Sequence, residues 1–180
     1  MDQRGDQTGL GRNSTGDNCI ASITRDILFE RADKAWEAGN LRSAFELFLR
    51  AAKAGDIGCQ VNLGTFYSDG IGVKPNRAKG LFWYKRAYRR GYAPAAQNIG
   101  IVYRDESDLN RALGWFERAI RLGDIDANLD TAKVHLKRGE GEKAIRHLKL
   151  VAKAKRYSEV TAFSWEAPRR ILKRLERPRR

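Results

Sequence analysis

GCQVNLGTFYSDGIGVKPNRAKGLFWYKRAYRRGY, residues 58–92, reads as two helical segments joined by a glycine-rich turn. In the first segment Gly64 is followed three residues later by Tyr67, so a small and an aromatic residue share one helix face. In the second, Gly80, Leu81, Tyr84 and Ala87 sit at offsets of one, four and seven, again a single face. Asn76 stands where an N-cap side chain accepts from orphan backbone N–H groups. Gly70 and Gly91 follow the two segments, where a left-handed residue ends a helix favourably. No alternating β-branched run with a hairpin turn competes with this reading.

The unit recurs on both sides. AAKAGD (51–56), AYRRGY (87–92), AIRLGD (119–124) and VAKAKR (151–156) are similar helix ends. Their matching residues Gly55, Gly91, Gly123 and Lys155 are 36, 32 and 32 residues apart. A fixed period of this size marks a repeat array. Aligned on these positions, the second segments share a small column (Ala44, Gly80, Ala112, Ala144) and an apolar column (Phe45, Leu81, Leu113, Ile145). A large column (Phe48, Tyr84, Phe116, Leu148) and another small one (Ala51, Ala87, Ala119, Val151) complete the face. The first segments share Ala32, Gly64, Gly100 and Ala132, then Ala35, Tyr67, Tyr103 and His135. Helices are predicted at 25–38, 41–54, 57–69, 77–90, 94–105, 108–122, 125–138 and 141–155. A last pair is predicted at 158–166 and 168–177, broken at Pro168. Asn40 and Ser107 are read as further N-caps.

Leu63-Gly64, Tyr67, Gly70-x-Gly72-Val73, Ala78 and Trp83-Tyr84-x-x-Ala87, ending in Gly91, resemble a Sel1-like repeat across a whole unit. The resemblance continues through AAQNIGIVYRDESDLNRALGWFERAIRLGD (95–124), where the G-x-G-V loop is missing and the spacing is four residues shorter. The flanking units, about 25–56 and 125–156, look like generic tetratricopeptide-type pairs. Gly80 departs from the family, which usually carries Ala in that column. The resemblance implies an all-α fold, a right-handed α/α superhelix (solenoid) of Sel1-like/TPR-like helix pairs. It also implies an adaptor or scaffold; with no convergent catalytic groups visible, the expected function is a non-enzymatic protein–protein interaction module, of which an inhibitor or immunity-type binder is one variant that the sequence does not select. The expected organisation is a disordered tail at 1–22 and a solenoid at 23–177. The repeats are placed at 25–56, 57–92, 93–124 and 125–156, with a capping pair at 158–177 and a basic tail at 178–180.

A helix pair of this length cannot bury its apolar face alone, and stacking pairs generates a concave side. If first helices line it, as in tetratricopeptide arrays, the groove residues are Phe29, Asp33 and Trp36, then Thr65 and Ser68. Gln97, Ile101 and Arg104 follow, and then Lys133 and Lys137. This groove runs from acidic-aromatic to basic and suits a protein or peptide partner of opposite polarity. Phe29 and Trp36 are equally placed to fill the core of the N-terminal pair.

The chain has 180 residues and a formal charge of +13, with 32% charged residues, which suits a thin core under much solvated surface. From Lys137 to Arg180 there are 15 Lys or Arg against five Asp or Glu. That gives an alternative function, a nucleic-acid-associated accessory protein, since such a run attracts polyanions. The candidate contacts are Arg169, Arg170, Lys173, Arg174, Arg177, Arg179 and Arg180. Ile171, Leu172 and Leu175 share a face suited to covering the end of the solenoid. No recognition helix, RNP-type sheet or finger accompanies the basic run.

No apolar stretch is long enough to span a membrane, and no signal-peptide core is visible, so a cytoplasmic location is expected. Cys19, placed in the tail, and Cys59 match no zinc or redox spacing. His135 and His147 each fall in a repeat column, in place of Tyr103 and Trp115, and are read as packing residues. Gly70-Ile-Gly72-Val-Lys74 lacks the G-K-[ST] ending of a phosphate loop. Asp105, Glu106 and Asp108 are read as helix-end charges. No catalytic residue, metal or cofactor is assigned.

Overall fold

A computed structural model describes residues 14–154 and 166–175, with side chains described for 23–153 and 170–175. The described residues form α1 (Ser14–Glu37), α2 (Leu41–Lys53), α3 (Ile57–Asp69), α4 (Arg77–Tyr88), α5 (Ala93–Asp105), α6 (Leu109–Arg121), α7 (Ala127–Lys137), α8 (Gly141–Ala154) and α9 (Glu166–Leu175). The fold is all-α, a solenoid of helix pairs. From α2 to α8 the helices begin and end within two residues of the sequence expectation.

α1 differs. It begins at Ser14, inside the segment read as a tail, so Cys19 lies within a helix. Once a helix is nucleated, each added residue costs little. Ile23 and Ile27, which follow the extension, are about half exposed. Residues 1–13, the predicted helix at 158–166 apart from Glu166, and the tail 178–180 lie outside the described residues. Pro168 falls in the first turn of α9 rather than between two helices.

Each hairpin closes through one contact type. A Cβ built on Gly64 of α3 would lie 2.5 Å from the ring of Tyr84 on α4. One built on Gly100 of α5 would lie 2.5 Å from the ring of Phe116 on α6. The backbone of each first helix therefore rests directly on a large side chain of the second. Ala32 with Phe48, and Ala132 with Leu148, are the corresponding buried pairs in the outer hairpins. Gly80 is explained the same way. A Cβ there would collide with Ser68 Oγ and lie 2.9 Å from the Gly64 carbonyl oxygen, so the usual alanine has no room.

Hairpins then stack in sequence order, α2 on α3, α4 on α5 and α6 on α7, and α9 closes the end against α8. Ile171, Leu172 and Leu175 of α9 pack on Ala132, Ala144 and Leu148, as the sequence predicted. Beyond these neighbours, α5 also meets α3 and α7, whereas second helices do not approach one another as closely. The layer whose members crowd together is the inside of a curved stack. First helices thus form the inner layer and second helices the outer one.

The caps refine the sequence reading. Asn76 accepts from the Lys79 backbone N–H at 2.9 Å. Ser107 is not the cap of α6; Asp108 is, accepting from Arg111 N–H at 3.0 Å. Ser107 instead takes the left-handed turn position, φ +63°, which Gly39 fills in the α1–α2 hairpin and Gly139 in the α7–α8 hairpin. Asn40 occupies the cap position of α2 without a side-chain bond.

Gly100→Ala should separate α5 from α6 and lower stability by about 1–3 kcal/mol, the usual cost of overpacking. Urea unfolding followed by circular dichroism measures it. An unchanged midpoint would mean that the Phe116 ring does not fix the helix spacing.

Candidate interaction face

The inner face carries two clefts that meet at Asp105. One, of about 210 Å³, lies between α3, α4 and α5 and includes Thr65, Ser68, Tyr84 and Ile101. The Thr65 hydroxyl shares a 2.9 Å hydrogen bond with the Tyr84 hydroxyl, which ties the groove wall to the core. The other, of about 360 Å³, is lined by Arg104, Asp105, Ser107, Lys133, Val134 and Lys137. Six of the ten predicted groove residues therefore line two adjoining clefts.

Gln97, Arg104 and Lys133 converge on a residue the sequence reading passed over. Asp130 is buried, its side chain 9% exposed. Its carboxylate accepts from Gln97 Nε2 at 2.9 Å, Arg104 Nη1 at 3.2 Å and Lys133 Nζ at 3.0 Å. Arg104 also pairs with Asp105 at 3.0 Å. A buried carboxylate persists when charged donors satisfy it. The network bridges α5 and α7 and fixes the positive groups at the cleft edge. Lys137 is exposed beside them.

The N-terminal residues belong to a different environment. Trp36 packs edge-on against Phe48 and Phe66, with ring centroids 5.8 and 5.0 Å apart, as part of the first core cluster. Phe29 is 36% exposed and touches Phe48 with one edge. Asp33 is exposed. Of the C-terminal candidates, Arg170, Lys173 and Arg174 are exposed on α9. The side chains of Arg169, Arg177, Arg179 and Arg180 lie outside the described residues.

The histidines meet across α7 and α8. Their rings stack with centroids 5.6 Å apart. His135 Nδ1 lies 2.7 Å from Glu140 Oε2 and His147 Nδ1 lies 3.0 Å from Asn128 Oδ1. Lys143, then His135, holds the Glu140 carboxyl below its usual range. Burial, followed by the nearby His135 and Arg146, pushes His147 below its ordinary value of 6.5. Among the described residues no group of three or more His, Cys, Asp or Glu could hold a metal ion. The three acidic residues near the α5–α6 turn each face a cation: Asp105 meets Arg104, Glu106 meets Arg77 and Asp108 meets Arg111. The glycine-rich loop packs on α2, where a Cβ on Gly72 would lie 2.8 Å from that of Leu41.

Two expected outcomes follow from these contacts. Asp130→Ala removes the buried acceptor of Gln97, Arg104 and Lys133, leaving Arg104 only Asp105, and should cost about 1–3 kcal/mol of stability, less for Asp130→Asn. Equal stability of wild type and Asp130→Ala in urea would show the network to be decorative. For His147, a lowered folded pKa means that the unfolded chain binds the proton more readily. Its stabilising contribution is present above pH 6.5 and is lost as pH falls through the folded value. His147→Gln should therefore flatten the drop in melting temperature between pH 7.5 and pH 5.5. Parallel profiles for variant and wild type would contradict this.

Comparison with known proteins places this geometry. The Sel1 repeat model matches residues 37–56, 58–92 and 95–124. A sel1-like repeat-containing protein of Acanthamoeba polyphaga mimivirus is 32% identical over 88 residues, 48% of this chain and 16% of the relative. The chain thus spans about a sixth of that relative's length. Among solved structures, a protective antigen of uropathogenic Escherichia coli with an SLR fold superposes with a TM-score of 0.63 at 18% identity, covering 74% of this chain and 32% of the antigen. A Sel1 repeat protein from Oxalobacter formigenes gives 0.57 at 23% identity, over 79% and 62% of the two chains. MamA gives 0.59 at 20% identity, over 86% and 87%.

Proposed function

We propose that this solenoid, which matches the Sel1 repeat model over residues 37–56, 58–92 and 95–124, acts without catalysis by capturing a segment of a protein partner along its inner face. Repeat folds of this kind are commonly protein–protein interaction modules, and an adaptor or inhibitor role is the specific form proposed here. The observation that carries it is the pair of adjoining clefts on the first helices, ending at Arg104, Lys133 and Lys137. The inner clefts present the Asn98 amide beside Ile101 in the middle and cations at one end. An extended segment with an acidic residue at the α7 end satisfies both. Charge at such an edge steers encounter and fixes register more than it adds affinity. His135 and His147 serve packing in this reading.

A reducing, cytoplasmic setting is part of the proposal. Cys59 is a free buried thiol whose ionisation burial suppresses strongly, which suits a core position rather than a reactive one. No helix among the described residues is long and apolar enough to cross a membrane.

Photo-crosslinking in the native host tests the surface. A photoreactive residue at Ile101 or Lys137 should give a protein adduct, and Lys133→Glu with Lys137→Glu should reduce its yield at least about tenfold while circular dichroism stays unchanged. No adduct at either position, or an adduct indifferent to charge reversal, would remove the inner face from consideration.

A further inference from the structure

The protein's charge is divided between the two layers of the stack. The inner helices α1, α3, α5 and α7 contain six Lys or Arg against eight Asp or Glu. The outer helices α2, α4, α6 and α8 contain 14 against three. The positive charge is therefore not confined to the C-terminal end. Aligning the repeats shows how it is arranged. Two residues past the core positions Ala51, Ala87, Ala119 and Val151 stand Lys53, Arg89, Arg121 and Lys153, a cation in every repeat, all exposed. Arg50, Arg86 and Arg118 run beside them in three repeats. No ion pair ties any of the four ladder residues to a carboxylate among the described residues.

Helix-end electrostatics do not explain the division. A cation in a last turn is stabilised by the helix dipole, but that dipole acts on both layers alike. Three inner helices carry a last-turn cation, Lys34, Arg104 and Lys137, yet α1, α3 and α5 end on Glu37, Asp69 and Asp105, which offset them. The outer helices also place Lys79, Arg111 and Lys143 in first turns, where the dipole opposes them. A field of one sign spread over a whole layer concentrates polyanions.

The shape and the apolar content of this face select among polyanions. A convex surface meets a flat bilayer along one ridge and would leave most of the ladder unused, whereas a flexible phosphodiester chain can follow the curve. Helices that lie on membranes present a broad apolar face; large apolar side chains stand out singly here, Phe82 at 52% and Leu150 at 54% exposure. Phe82 sits three residues after Lys79 and four before Arg86, hence on the same face as both. An exposed ring among cations is a stacking platform for an unpaired base. We infer that the outer layer binds single-stranded nucleic acid, with phosphates along Lys53, Arg89, Arg121 and Lys153 and a base on Phe82. This concerns the opposite face from the peptide clefts and does not rest on them.

The test uses the full chain and fluorescein-labelled 20-mers of oligouridylate and oligodeoxythymidylate, followed by anisotropy from 50 to 300 mM salt. Binding should weaken steeply with salt. Neutralising Lys53, Arg89, Arg121 and Lys153 to Gln should cut affinity at 50 mM at least tenfold. It should also reduce the slope of log affinity against log salt by about 3, at roughly 0.7 per lost phosphate contact. Arg89→Gln with Arg121→Gln should give about half that change, should the fourfold variant unfold. Phe82→Ala should weaken binding about tenfold, and Lys133→Gln with Lys137→Gln should leave it unchanged. The comparison of the two oligomers distinguishes RNA from DNA as the source. Absence of binding at 50 mM, an unaltered slope in a folded ladder variant, loss of binding only on deleting residues 176–180, or binding to phosphatidylglycerol vesicles but to neither oligomer would each overturn the inference.

Discussion

The contact of a small residue on each first helix with a large side chain on the second sets the geometry of the hairpins, most tightly in the two central ones. Gly64 and Gly100 have no side chain because the rings of Tyr84 and Phe116 occupy the space where one would be. Dense packing of this kind leaves few ways for the two helices to slide or rotate. The register of each hairpin is thereby fixed, and with it the faces that α3, α5 and α7 turn inward and α4, α6 and α8 turn outward. Function in a repeat protein lives on those faces, so the small–large contact acts on it at one remove.

The two faces have opposite electrostatic character for separate reasons. Inside, the two signs nearly balance, six Lys or Arg against eight Asp or Glu. Asp130 gathers Arg104 and Lys133, so the cleft edge presents ordered cations rather than mobile ones. Outside, Lys53, Arg89, Arg121 and Lys153 repel one another with no carboxylate of their own among the described residues. That repulsion is weak at physiological salt, where exposed charges are screened beyond about 8 Å, and the fold tolerates it.

Much of the fold was legible because packing repeats. Columns such as Phe48, Tyr84, Phe116 and Leu148 are visible in the sequence as soon as the period is known, and all four side chains are buried. Legibility failed where a property depended on contacts across repeats or on neighbouring turn residues. Asp130 is one polar residue in a polar column, and its partners lie 26 and 33 residues away. Ser107 and Asp108 are adjacent and both suit a cap; the left-handed turn decides between them. The start of α1 escaped because residues 14–18 are all polar or glycine in the sequence and give no period. The charge ladder escaped because charge summed along the chain mixes the layers, and only alignment by column separates them.

A row of hairpins that touch only their neighbours must open from its ends. Native-state amide hydrogen exchange reads this directly. The greatest protection is expected in α3 to α6, with graded, lower protection in α1–α2 and α7–α8, each pair exchanging as a unit. Uniform protection from α1 to α8 in a single global opening, or the strongest protection at the ends, would contradict a linear stack.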